Sequence, residues 1–245
     1  MMLDFYREID RVIKDDLGVG YYSALFRGHS NSDYKLLPTI LRGDNFEKER
    51  SYFYDYKSYS TNLNGKKYNN WDTLIDMQHY GAPTRLLDWT ESLGVAIYFA
   101  LLGDLNNPCI WALDPFKLNE ISTGQPILYD ISDVQDLGCN DGTASNYKFI
   151  LNNIFAGVGT VEHPFAFRPN HIHSRIAAQK GLFTCHTNNH DPIEVSCPEA
   201  VRKILIPAEL IQELKIHLRM FSLDEYSLFP DKQGLANWLA HKHST

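Results

Sequence analysis

The sequence predicts an α+β fold: one compact domain with a central mixed or antiparallel sheet flanked by helices. Two observations predict it. Segments with helical apolar spacing gather early and late in the 245 residues, while short apolar runs between turn signals cluster in the second half. No internal repeat, low-complexity block or linker interrupts the chain, so residues 1–245 read as a single domain.

Leu3–Asp16 has Phe5, Ile9, Val12 and Ile13 on one helical face, with Gly18 beyond its end. Tyr21–Arg27 reads as a strand, stopped by Gly28-His29-Ser30-Asn31. Asn45 is placed to cap a helix from Phe46 to about Leu63, whose face carries Tyr52, Phe53, Tyr56 and Tyr59. The polar stretch Asn64–Asn70 is a loop, and a third helix spans Trp71 to Tyr80 before Gly81. Gly81–Asp88, with Pro83, reads as a structured loop. Asp88 and Glu91 have capping-box spacing, which predicts a helix over Trp89–Leu102, apolar almost all round and central to the core.

Cys109–Leu113 is a strand, Asp114-Pro115 starts a helical turn, Pro126–Tyr129 is a further strand and Ser145–Phe155 a helix. Phe165–Phe167, Ala177–Gln179, Leu182–His186 and Val201–Ile206 are short strands. Pro207 opens a helix to about Met220, Ser222 and Glu225 have the spacing to cap a short helix, and Asp231 caps a last one over Lys232–Ala240.

The net charge of −7 argues against a general nucleic-acid coat and leaves room only for a local basic cleft. The acidic, amphipathic N-terminus lacks a cleavable apolar core, and Val95–Leu102 is far shorter than a membrane span. Cys109, Cys139, Cys185 and Cys197 have no paired spacing and read as reduced thiols. The expected location is therefore cytoplasmic, with no membrane partner. His171, His173, Cys185, His186, His190 and Cys197 match no zinc template, so no metal is expected.

Three constellations carry candidate chemistry. Phe26-Arg27-Gly28-His29 places an arginine at a strand end beside a glycine. Arg27 reads either as a fork for a phosphate or as a partner of a carboxylate beside a turn. Met77–Thr90 packs His79, Tyr80, Arg85, Asp88, Trp89 and Thr90 into a polar loop against the core. It reads either as a binding loop or as a capping network in which Arg85 pairs with Asp88. Arg168–Gly181 gathers Arg168, Arg175, Lys180, two histidines and Gln179, as a local basic patch or as a solvated loop.

Together these segments resemble the FRG domain, a family of mostly bacterial and phage proteins named after its Phe-Arg-Gly motif. The resemblance rests on Phe26–His29, Leu36–Ile40, Gln78–Thr90, Ala96–Ala100, Arg175–Thr184 and Leu228–Asp231, and it runs from about Phe5 to Leu239. A more distant similarity is to ADP-ribosyltransferases of the Arg-Ser-Glu type, which implies their core fold and NAD as cofactor. In that likeness Phe26-Arg27-Gly28 corresponds to the cofactor-binding aromatic-Arg-Gly. Leu87-Asp88-Trp89-Thr90, with Ala96 and Phe99, stands at the second motif, with Asp-Trp-Thr in place of Ser-Thr-Ser. At the third motif this chain has Gln179 where the likeness calls for a glutamate. A neutral amide can bond a ribose hydroxyl but cannot stabilise an oxocarbenium by charge.

The resemblance implies a site in which Arg27 and Arg85 clamp a pyrophosphate, with Gly28, His29, Arg175 and Thr90 as further cofactor contacts. Trp89, Tyr80 or Tyr34 stacks on nicotinamide, His29 or His79 moves a proton, and Asp88, His79 and Gln179 form the catalytic set. The expected function is ADP-ribosyl transfer to a macromolecular acceptor or NAD hydrolysis, in a phage-defence or toxin setting. A non-catalytic nucleotide sensor and a toxin or defence factor acting on nucleic acid are the alternatives.

Overall fold

The computed structural model describes residues 1–43, 46–64, 68–131, 161–187 and 189–244. The expected cap Asn45, the expected helix Ser145–Phe155 and Cys139 lie outside the described residues. Ten α-helices and seven strands are described: α1 (Met2–Arg11), β1 (Leu25–His29), α2 (Glu49–Asn64), α3 (Asn70–His79), β2 (Leu86–Thr90), α4 (Leu93–Ala100), β3 (Cys109–Leu113), α5 (Pro115–Thr123), β4 (Tyr129–Asp130), β5 (Phe165–Arg168), α6 (Ser174–Ala178), β6 (Gly181–Cys185), α7 (Ile193–Ser196), β7 (Val201–Leu205), α8 (Ile211–Met220), α9 (Glu225–Leu228) and α10 (Lys232–His243). The strands form one sheet in the order β4-β5-β6-β2-β1-β3-β7, antiparallel throughout except for the parallel β4–β5 pair. The fold is thus α+β with a mixed sheet, as the sequence predicts.

Strand alternation divides the core. On one face, Phe26, Ile110 and Ala112 pack under α1, α4 and α8, while Leu86, Phe165, Phe167, Phe183 and Cys185 pack under α2 and α3. The other face buries Leu25, Leu87, Trp89, Trp111, Leu113 and Leu182 against α5 and α7. On α2 only Phe53 and Tyr56 turn into this core, whereas Tyr52 and Tyr59 are exposed.

Pairing is uneven along the sheet. β1–β3, β2–β6 and β3–β7 are ladders of five register pairs. β1 and β2 pair only at Phe26↔Thr90, so the sheet is two well-laddered halves joined at one point.

Several expected elements are corrected. Leu86–Thr90 is a strand, not loop and helix start, and the helix begins at Leu93 with Ser92 as its cap. Asp88 therefore caps nothing. A short run buried on both sides is compatible with either period, and only the ladder to β6 decides it. Ala177–Gln179, expected as strand, ends the short helix α6, and Lys180 at φ 47° turns the chain into β6. The expected strand Pro126–Tyr129 shrinks to Tyr129–Asp130. Ser222 is in a left-handed turn at φ 55°, and α9 is capped by Asp224, which accepts from the Tyr226 and Ser227 amides. Asp231 caps the last helix as expected.

Gly28 fixes how closely α4 lies on β1. A Cβ there would sit 1.9 Å from the Ala96 carbonyl oxygen and 2.5 Å from the Ala100 amide nitrogen, both backbone atoms that cannot step aside. Its missing side chain thus makes room for a helix, not for the ligand that the sequence led us to expect. Gly28→Ala is expected to destabilise the fold by about 3 kcal/mol, read as a lowered midpoint in urea unfolding. A loss below about 0.5 kcal/mol, the range of neutral surface changes, would show that α4 is free to lift off the sheet.

Candidate functional site

The site lies where β1 and β2 part. Strand alternation puts Asp88 on the face that packs under α2 and α3, between α3 and α6. Its side chain is 55% exposed, and Oδ2 accepts from Gln78 Nε2 at 2.6 Å. Gln78 reaches Asp88 from the last turn of α3, and its own carbonyl accepts from the Thr84 hydroxyl. Arg27 projects from β1 into the gap between the strands. Its Nη1 donates to the Asp88 carbonyl oxygen at 2.6 Å and lies 3.8 Å from Asp88 Oδ2. Its Nε donates toward His29 Nε2 at 3.0 Å. Burial lowers the Arg27 pKa, the charge of Arg42 adds to that, and Asp88 opposes it. Arg27 is thus held to Asp88 through the backbone and only loosely through the carboxylate.

Asp88, Gln78, His79, Arg175 and Gln179 line one small cleft of about 50 Å³, floored by Ile75, Ile176 and Phe183. His79 stacks on His173 at 4.0 Å with the rings within 3° of parallel. His173 Nε2 lies 2.8 Å from Asp76 Oδ1, and the Tyr56 hydroxyl donates to Asp76 Oδ2 at 2.9 Å. Asp76 is buried, so this arrangement places a carboxylate in the core behind the two imidazoles. Burial, together with the neighbouring His173 and Arg175, pulls the His79 pKa down to about 4. At neutral pH His79 is uncharged and accepts a proton rather than donating one. The Arg175 guanidinium lies over the Phe229 ring at 4.5 Å. Gln179 Nε2 donates to the Leu228 carbonyl at 3.0 Å, which ties the cleft to α9.

Of the expected residues, Asp88, His79, Arg175 and Gln179 converge, and Arg27 touches Asp88 from the gap between the strands. The others have different work. Arg85, expected as a clamp, is wholly buried in a two-pronged pair with Glu49, its Nε donating to Glu49 Oε1 at 2.9 Å and its Nη2 to Oε2. Its Nη1 donates to the His186 carbonyl at 2.8 Å. Neither the clamp nor the expected Arg85–Asp88 pair exists. Breaking such a buried pair costs ~3–5 kcal/mol, so this contact belongs to the fold. Trp89 is 2% exposed, faces the opposite core, and donates from Nε1 to the Thr184 hydroxyl at 3.1 Å; it is no shelf for a ring. Tyr80 and Tyr34 are exposed. The Thr90 hydroxyl donates to the Gln179 carbonyl at 2.7 Å and accepts from the Ser92 amide, so Thr90 fastens α6 to β2.

His29 is 5% exposed, and burial together with Arg27 and Arg42 pulls its pKa down to about 3. Arg27 Nε and Trp111 Nε1 approach its two ring nitrogens, and the neutral ring accepts from one of them at a time. The expected proton shuttle at His29 therefore gives way to a neutral, buried acceptor. Cys109 and Cys185 are buried and free, their thiols pushed up by burial to about 11 and about 12, so neither offers a thiolate. Asp76, His173, Gln78 and Glu49 were not in the expected site. The His and Asp residues stand far apart in sequence, and only their spacing on α3 (Asp76, His79) hinted at a shared helix edge.

The fold and cleft define an α+β domain with a polar site at the parting of its central strands. The model of the FRG domain family matches residues 22–107, and over that stretch the chain is similar to the FRG domain family. The match spans β1 through α4 and includes Arg27, Gln78, His79 and Asp88; Arg175 and Gln179 lie beyond it. No curated protein and no solved structure matches the chain. No helix among the described residues is long and apolar enough to cross a membrane.

The buried histidines make stability depend on pH. His29 and His186 are both held near a pKa of about 3, against about 6.5 in the unfolded chain. Between those values the unfolded state binds protons that the folded state refuses. Stability is therefore full above pH 6.5 and is lost as pH falls toward 3, at ~1.4 kcal/mol per pH unit for each residue. Urea unfolding at pH 7 and pH 5 is expected to show this fall. Equal stability at the two pH values would mean that both imidazoles titrate in the folded protein.

Proposed function

We propose that the cleft at Asp88 takes an NAD-type nucleotide and cleaves the bond between nicotinamide and ribose. The observation that supports this is the convergence of one exposed carboxylate with two guanidiniums, Arg27 and Arg175, and a neutral imidazole, His79, around the parting of the strands. The donor set fits the substrate class. Guanidiniums suit pyrophosphate oxygens, the Gln179 amide suits a ribose hydroxyl, and Asp88 is the carboxylate that can face developing positive charge at the ribose.

In this reading the C–N glycosidic bond breaks with its electron pair leaving on nicotinamide. Water, or a hydroxyl or amine of an acceptor, then attacks the ribose carbon. His79, uncharged at neutral pH, is placed to take the proton that the attacking group loses. A cleft of about 50 Å³ must widen to admit a dinucleotide. Arg175 sits on the short helix α6 and Gln179 just past its end, and rotamer changes at such sites commonly accompany binding.

A second reading, a nucleotide sensor without turnover, is favoured by Gln179. It is neutral, and its amide is already engaged on the Leu228 carbonyl, so Asp88 would have to supply all of the charge stabilisation.

Asp88→Asn tests the first reading. The residue caps no helix and is half-exposed, and asparagine still accepts from Gln78, so the melting temperature is expected to stay within a few degrees of wild type. Nicotinamide release from NAD⁺ is expected to fall by roughly 100-fold, the scale of losing one strong transition-state contact. If wild type releases no nicotinamide but NAD⁺ or ADP-ribose raises its melting temperature, the sensor reading replaces catalysis. If neither ligand does either, the cleft does not bind this class of molecule.

A further inference from the structure

A second cavity lies away from the Asp88 cleft. It encloses about 590 Å³ between the C-terminal end of α4, α8, α9 and α10. That is within the range of small-molecule sites, ~300–1,000 Å³. Its apolar lining comes from Leu101, Leu218 and Leu223, and Trp238 of α10 forms an aromatic wall.

Three polar features give this cavity a chemical preference. Lys215 and Arg219 follow one another at i,i+4 on α8 and both line the cavity. Two like charges at that spacing repel, and neither makes an ion pair among the described residues. The acids at the cavity are already engaged. Asp224 accepts the Tyr226 and Ser227 amides as the cap of α9, and Glu225 Oε1 lies 2.7 Å from His241 Nδ1. Tyr98 is 8% exposed, yet its hydroxyl makes no hydrogen bond among the described residues and reaches the cavity from α4. A buried ring with an unused donor beside two cations that make no ion pair among the described residues, over an apolar floor, is an arrangement that suits an amphipathic anion.

We propose that this cavity is a second ligand site, for a small molecule with an apolar or aromatic body and one anionic head. The body lies against Leu101, Leu218 and Trp238. The head is held by Lys215 and Arg219, and the Tyr98 hydroxyl donates to an acceptor on the ligand. An acyl carboxylate and an aryl phosphate both have this chemistry.

The fluorescent probe 1-anilinonaphthalene-8-sulfonate, titrated into the full chain at pH 7, is expected to bind saturably at one site. The double variant Lys215→Glu/Arg219→Glu is expected to bind at least about tenfold more weakly, the scale of losing a charged anchor. Tyr98→Phe, which keeps the buried ring, is expected to weaken binding severalfold with an unchanged melting temperature, and it stands in should the double variant fail to fold. Displacement of the probe by dodecanoate but not by 1-naphthyl phosphate assigns the site to acyl anions, and the reverse assigns it to aryl phosphates. Displacement by neither overturns the proposal. So does a lack of saturable binding, or equal affinity in the folded double variant or in Tyr98→Phe. NAD⁺ turnover at Asp88 is expected to be the same in these variants, so a failure here is distinct from a failure at the cleft.

Discussion

The molecule depends on one sparse contact in its sheet. β1 and β2 meet at a single pair, Phe26↔Thr90, although each is fully laddered to its other neighbour. Backbone groups beyond that pair need other partners if they are buried. Arg27 supplies one, its guanidinium donating to the Asp88 carbonyl. The same gap that costs the sheet several ladder bonds gives the protein a polar opening in its middle. Everything that gathers at the cleft does so because two strands separate there and a charged side chain, not a strand partner, fills the space.

Buried polar contacts hold the two sides of that opening in place. The Arg85–Glu49 pair locks the start of α2 to the strand that carries Asp88, and its further bond to the His186 carbonyl secures the end of β6. Thr90 binds the Gln179 carbonyl, and the Glu91 amide donates to the Lys180 carbonyl, so α6 cannot drift from β2. On the other side Gly28 lets α4 press against β1. Rigid flanks of this kind are what a site needs if a loosely bonded carboxylate is to keep its position.

Much of this was legible in the sequence, but unevenly. Apolar spacing and flanking turn signals located α1, α3, α8 and the strand Cys109–Leu113, although that strand is buried on both faces. The Leu86–Thr90 segment defeated them, since a run buried on both sides carries no period; its strand character comes from pairing with β6, nearly a hundred residues away. That error moved Asp88 from a strand to a helix cap. Similarly, Arg27 and Arg85 look alike in sequence, each an arginine in a motif rich in functional groups. One meets a backbone carbonyl at an opening and the other a buried glutamate, and only the fold brings Glu49 to Arg85. The Asp76–His173 contact was equally hidden, because it joins α3 to a loop that precedes α6. His79, Asp88, Arg175 and Gln179, singled out from the motifs, line one cleft together with Gln78, whereas Asp76 and His173 meet only in the folded chain.

Backbone amide NMR of the deuterated, ¹⁵N-labelled full chain, titrated with NAD⁺, tests most directly whether the parting of β1 and β2 is the binding site. Shifts confined to Arg27–Gly28, Gln78–His79, Asp88–Thr90 and Arg175–Lys180 are expected, with the amides around Tyr98 and Trp238 unmoved. Shifts centred on α8 and α10, or no shifts at millimolar NAD⁺, would contradict binding at the parting.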